Sequence, residues 1–132
     1  MDEIPLKPAG KEEIRKLELS LILGTLFRPD VLESIRMASD KVTWLDSLIV
    51  AAGALARERA GMTTSKIAEE LGRTEQTIRN HLNEKTEAGK LVKATYKSFL
   101  KGEKLEVLIT SEAEEKLKKV KQKLEEILKE IS

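Results

Sequence analysis

Apolar residues recur along this chain at helical spacing for most of its length. Ile14, Leu17, Leu21 and Ile22 fall on one side of a helix predicted over residues 11–27, closed by Gly24 and then Arg28-Pro29. Asp30, with Glu33 three residues on, opens a short helix carrying Val31, Leu32 and Ile35. Thr43 opens a longer one through Ala60, in which Trp44, Leu45, Leu48, Ile49, Ala52, Leu55 and Ala56 make nearly the whole circumference apolar, so it belongs at the centre of the fold. Gly61 stops it. Ahead of these helices, residues 1–10 contain Pro5, Pro8 and Gly10 and read as a mobile lead-in.

Two short helices with a tight connection follow. Thr63 or Thr64 caps the first, with Ile67, Ala68 and Leu71 inward; Gly72 supplies a left-handed turn; Thr74 caps the second, predicted from Glu75 to about Ala88, with Ile78 and Leu82 inward. Gly89 is read as its stop. From Leu91 to Phe99 the period moves toward two, Lys101-Gly102 reads as a turn, and Leu105, Val107 and Ile109 alternate with polar or outward positions, which predicts a β-hairpin. Ser111 and Glu114 make a capping box for a last helix whose apolar residues, Ala113, Leu117, Val120, Leu124, Ile127 and Ile131, step by four and three along one narrow seam, as in a coiled coil.

Composition narrows the chemistry. The 132 residues contain no cysteine and one histidine, which argues against disulfides, thiolate metal sites, cysteine nucleophiles and a serine–histidine triad. No long uncharged apolar run and no basic-then-apolar leader occur, so no membrane span or secretion is expected, and the reading places the chain in the cytoplasm. A net charge of +1 looks unfavourable for a polyanion partner until it is divided along the chain: residues 1–63 carry 9 basic and 10 acidic side chains, whereas from Arg73 to Lys104 the balance is 8 against 4. Local sign decides where a polyanion sits.

The run from Thr64 to Leu82 has a small residue, Ala68, where its two helices cross, and Gly72 where the chain reverses. It resembles a helix-turn-helix, and with the predicted hairpin the stretch from about 43 to 131 resembles a winged helix-turn-helix, similar to the small prokaryotic or archaeal regulators grouped as ArsR-, MarR- and PadR-like. The fold expected is therefore mainly α with a small β-hairpin, in three parts: an N-terminal extension of one or two helices at 1–42, the DNA-binding domain at 43–110, and a C-terminal dimerisation helix at 111–132. The resemblance implies that the motif's second helix enters the major groove, where Gln76 and Asn80 suit adenine and Arg79 suits guanine. Thr64, Ser65 and Thr74 would meet phosphates at the helix starts, and Lys93, Lys97, Lys101 and Lys104 would project from the wing toward the DNA backbone or minor groove.

Plainer roles exist for several of these residues. The hairpin lysines also fit a solvated strand face guarded against edge pairing. Trp44 is simplest as core, Gly53 as a point of close helix packing, and His81 as a packing or phosphate-facing residue. The function expected is a sequence-specific transcriptional regulator rather than an enzyme, with no cofactor or metal and with double-stranded DNA and a second copy of itself as partners. The copies would join through Leu117, Val120, Leu124, Ile127 and Ile131; the sequence names no small-molecule effector. The alternatives are an architectural, chromatin-like DNA binder and a protein-interaction module, the latter favoured by Glu69, Glu70, Glu75, Glu84 and Glu87 around the motif.

Overall fold

The computed structural model describes residues 4–103 and 118–130, and every regular element in it is helical. In chain order these are α1 (Gly10–Leu26), α2 (Pro29–Met37), α3 (Lys41–Arg59), α4 (Thr64–Leu71), α5 (Glu75–Leu82) and α6 (Glu87–Leu100), followed by α7 at residues 118–130. Among the described residues, no helix is long and apolar enough to cross a membrane.

As its sequence predicts, α3 is the centre. It starts two residues before Thr43, because Asp40 rather than Thr43 is the N-cap and accepts from the Thr43 backbone N–H. Two cores share this helix. Leu48, Ala51, Ala52, Leu55 and Ala56 pack with Leu17 and Leu21 of α1 and with Ala88, Val92, Tyr96 and Phe99 of α6. On another face Val50 and Ala54 pack with Ile67 and Ala68 of α4 and Ile78 of α5. Complete burial of a leucine or isoleucine is worth about 2–3 kcal/mol, so Leu17, Leu21, Ile67 and Ile78, all at zero exposure, are the main fasteners. The run of alanines around Gly53 lets the surrounding helices come close. The circumference is not wholly covered, however: Ile49 is 49% exposed.

The predicted hairpin is not there. Residues 87–100 form α6, no strand occurs among the described residues, and the expected α+β class is corrected to an all-helical one. Ala88, Val92, Thr95, Tyr96 and Phe99 recur at four, three, one and three residues, which is one helical face, and all are buried. Their β-branched and aromatic side chains look strand-like in sequence, but packing against α1 and α3 outweighs that weak local preference. Gly102 does make a turn, at φ 96°, but as the stop of α6, where its N–H donates to the Phe99 carbonyl and that of Glu103 to the Ser98 carbonyl. The expected second strand and the capping box at Ser111 fall on residues 104–117, outside those described.

Gly89 likewise lies inside α6 instead of ending the preceding helix. A Cβ there would overlap the His81 carbonyl, so glycine is what lets α6 touch the end of α5. The N-terminal residues are laid down rather than loose from Ile4 on. Ile4 and Leu6 pack on the first core, and the Tyr96 hydroxyl donates to the Leu6 carbonyl at 2.7 Å.

Candidate nucleic-acid interface

The helix-turn-helix is built as its sequence indicates. The Thr63 hydroxyl caps α4 by accepting from Lys66 N–H at 3.2 Å. Gly72 adopts φ 68° and ψ 36°, the left-handed conformation that reverses the chain. Thr74 caps α5 by accepting from Thr77 N–H at 3.1 Å. Ile67 and Ala68 from α4 and Ile78 from α5 close the angle between the two helices over α3.

Two arginines, Arg73 and Arg57, hold this unit in place. Arg73, in the turn, reaches both carboxylate oxygens of Asp46 on α3 at 3.0 and 3.1 Å and also donates to the Leu71 and Gly72 carbonyls. Arg57 donates to Glu18 of α1 at 2.9 Å, to Glu70 of α4 at 3.1 Å and to the Gly53 carbonyl at 3.0 Å, pinning three helices with one largely buried guanidinium. Burial opposes its charge and the two carboxylates favour it; the net effect raises its pKa further, so it stays cationic. Gly53 leaves room for the ion pair, since a Cβ there would stand 2.5 Å from the Glu18 carboxylate. The signal was present as Gly53 and Arg57 one turn apart on the central helix.

On its solvent side α5 presents a row of polar groups. Gln76 donates to the Asn80 side-chain oxygen at 2.9 Å, Arg79 approaches the Gln76 oxygen at 3.4 Å, and Arg79 stands 3.8 Å from Glu75. Gln76, Arg79 and Asn80, the three residues singled out for base contacts, are thus one hydrogen-bonded array on the motif's second helix. This helix is shorter than expected. It ends at Leu82 instead of continuing toward Ala88, because Glu84 takes φ 58° and Lys85 N–H turns back to the Asn80 carbonyl at 2.8 Å.

The remaining expected contact residues divide. Thr64 and Ser65 stand in the first turn of α4 and Thr74 at the head of α5, where backbone N–H groups have no intrahelical acceptor. Lys93, Lys97 and Lys101 do not lie on a hairpin: they follow each other at four-residue steps along α6 and its C-cap. Lys93 Nζ donates to the Leu82 carbonyl at 3.3 Å, where a cation suits the C-terminal end of α5. Lys104 lies outside the described residues. His81 points inward and is 7% exposed, with Nδ1 2.7 Å from the Thr86 hydroxyl that caps α6. Its burial pushes the imidazole below its ordinary value, against a weaker opposing pull from Asp46. The expected dimer seam is described in part: Val120, Leu124 and Ile127 of α7 are 54%, 55% and 50% exposed, whereas Leu117 and Ile131 lie outside the described residues.

Comparison with known proteins adds to this geometry. Residues 54–130 match a family model described as a helix-turn-helix domain, which carries no assignment to the ArsR-, MarR- or PadR-like groups. An uncharacterized protein of Methanocaldococcus jannaschii is 56% identical over 131 residues, covering 93% of this chain and 80% of that protein. No solved structure matches the chain.

Proposed function

We propose that this chain, which belongs to the helix-turn-helix domain family, binds double-stranded DNA as a homodimer and regulates transcription at particular sequences. The observation that carries the reading is the hydrogen-bonded row of Gln76, Arg79 and Asn80 on the open face of α5. A major groove about 12 Å wide admits such a helix. In this reading the Gln76 and Asn80 amides address adenine, and the Arg79 fork addresses the two acceptors of guanine. Glu75 beside Arg79 is an alternative partner for the free guanidinium, so the contact forms by exchange of a weak exposed pair for a charge-assisted one.

Thr64, Ser65 and Thr74 set the two helix starts against phosphate oxygens. The lysines of α6 take the place of the expected wing: Lys97 and Lys101 continue a basic line that begins with Lys93 at the end of α5, and Lys104 extends it in sequence. α7 joins two copies through Val120, Leu124 and Ile127, with Leu117 and Ile131 completing the seam.

Selection of bound sequences from random duplexes tests this reading. The expected product is a two-fold motif. Arg79→Ala loses preference at one base pair per half-site, about 1–3 kcal/mol of discrimination. A selected motif unchanged at every position by Arg79→Ala removes the base-contact assignment. Absence of enrichment points to architectural binding, and no retardation of duplex even at about 50 mM salt points to a protein-interaction module.

A further inference from the structure

Away from the open face of α5, the start of α3 and the joint between α5 and α6 enclose an open cleft of about 390 Å³. Its walls are Asp40, Thr43 and Trp44 from the head of α3, His81 from α5, and Thr86 and Glu87 from the head of α6. That volume lies in the range of small-molecule sites.

The lining has a definite chemistry. It holds two carboxylates, Asp40 and Glu87, and no lysine or arginine. The nearby Arg73 is committed to Asp46 and to the carbonyls of the turn. His81 does not offset the negative charge, because burial favours its neutral form. His81 is buried, and its ring is bonded through Nδ1 to Thr86. Where Nδ1 is the donor to the Thr86 oxygen, Nε2 is an acceptor available to a ligand in the cleft that His81 lines. Trp44, half-buried against the core, adds an aromatic surface of the kind that attracts cations and apolar stems. An anion would meet two carboxylates, and a purely apolar molecule would desolvate them without replacing their partners.

We propose that the cleft binds a small organic cation, an ammonium group on a short apolar stem, held by Asp40 and Glu87, accepted by His81 Nε2 and covered by Trp44. Such a ligand touches α3 and the α5–α6 joint together. Its binding therefore ties the orientation of α5 to the scaffold, and any effect on DNA affinity is matched by an equal effect of DNA on ligand affinity.

Trp44 is the only tryptophan, so its fluorescence reports the site directly. The full chain is titrated, without DNA and at constant ionic strength, with putrescine, spermidine and tetramethylammonium, and with glutarate as an anion of similar size; calorimetry gives the stoichiometry. The expected result is a saturable change with at least one of the cations, one site per chain, and no saturation with glutarate. Glu87→Gln and Asp40→Asn each weaken binding about three- to tenfold; asparagine keeps the N-cap acceptor, so α3 stays intact. No saturation by any cation up to about 10 mM, an equal response to glutarate, or unchanged affinity in both variants overturns the proposal. Since no DNA is present, each of these outcomes leaves the DNA-binding reading untouched.

Discussion

Two glycines in this chain sit at close helix contacts, and what each one touches predicts different costs of adding a methyl group. At Gly89 the obstacle is the His81 backbone carbonyl, which cannot move without shifting α5 against α6. Gly89→Ala is therefore expected to destabilise by about 2–4 kcal/mol in urea unfolding, in spite of alanine's better helix propensity. At Gly53 the obstacle is the end of the Glu18 side chain, which can rotate away from Arg57 at the loss of one ion pair. Gly53→Ala should cost less, about 1–2 kcal/mol, since Arg57 keeps Glu70 and helix propensity offsets part of the loss of a largely buried pair. Equal costs would show that the two contacts have been misjudged. The one histidine gives a pH prediction of definite sign. Burial holds His81 below the usual 6.5, so on acidification the unfolded chain takes up this proton first. The stability contribution is present above about 6.5 and is lost as the pH falls below it. The urea midpoint should be lower at about pH 5.5 than at about pH 7.5, and His81→Gln should flatten this difference.

The helices differ in how well their sequences announce them, and α4, α5 and α6 show why. Thr63, Gly72 and Thr74 are local devices whose effect is complete within three or four residues, so the helix-turn-helix could be read directly, and with it the exposed Gln76 and Arg79 and the half-buried Asn80 beside them. The nature of α6 depends on distant partners: Thr95 bonds to Thr25 at 2.6 Å and Ser98 accepts from Arg28, both across 70 residues of sequence. Without those contacts, Val92, Thr95, Tyr96 and Phe99 resemble a strand, and Gly89 resembles a helix stop. The same limit hid the cleft beside His81, whose lining comes from residues 38–47 and 81–88 and from no single motif. It also hid the packing of the N-terminal residues, which the bond from Tyr96 to Leu6 secures. Tyr96→Phe keeps the buried ring and removes that bond. It is expected to speed chymotryptic cleavage after Leu6 several-fold while lowering global stability by only about 1 kcal/mol. Unchanged cleavage would mean that Ile4 and Leu6 hold the segment by packing alone.

The whole molecule has little net charge to hold DNA, +1 in total, and only a modest basic excess from Arg73 onward, so one copy is expected to bind weakly. In the proposed dimer a second copy would solve this by presenting two α5 helices to half-sites about one DNA turn apart, the second engaging at high effective concentration. The proposal joins them through α7. Val120, Leu124 and Ile127 step by four and three along one side, each at least half exposed, and a coiled-coil partner would cover that seam. Leu124 is far enough into solvent that a charge there should not disturb the cores around α3. Leu124→Glu is therefore expected to halve the sedimenting mass to the 14.8 kDa of a single chain, with the urea unfolding of the α1–α6 unit unchanged. Affinity for a two-fold DNA site should drop by about 10²-fold or more, while affinity for an isolated half-site stays the same. A wild-type chain that already sediments as a monomer, or a Leu124→Glu variant that remains a dimer, would take the dimer contact away from α7 and leave α5 to act from a single copy.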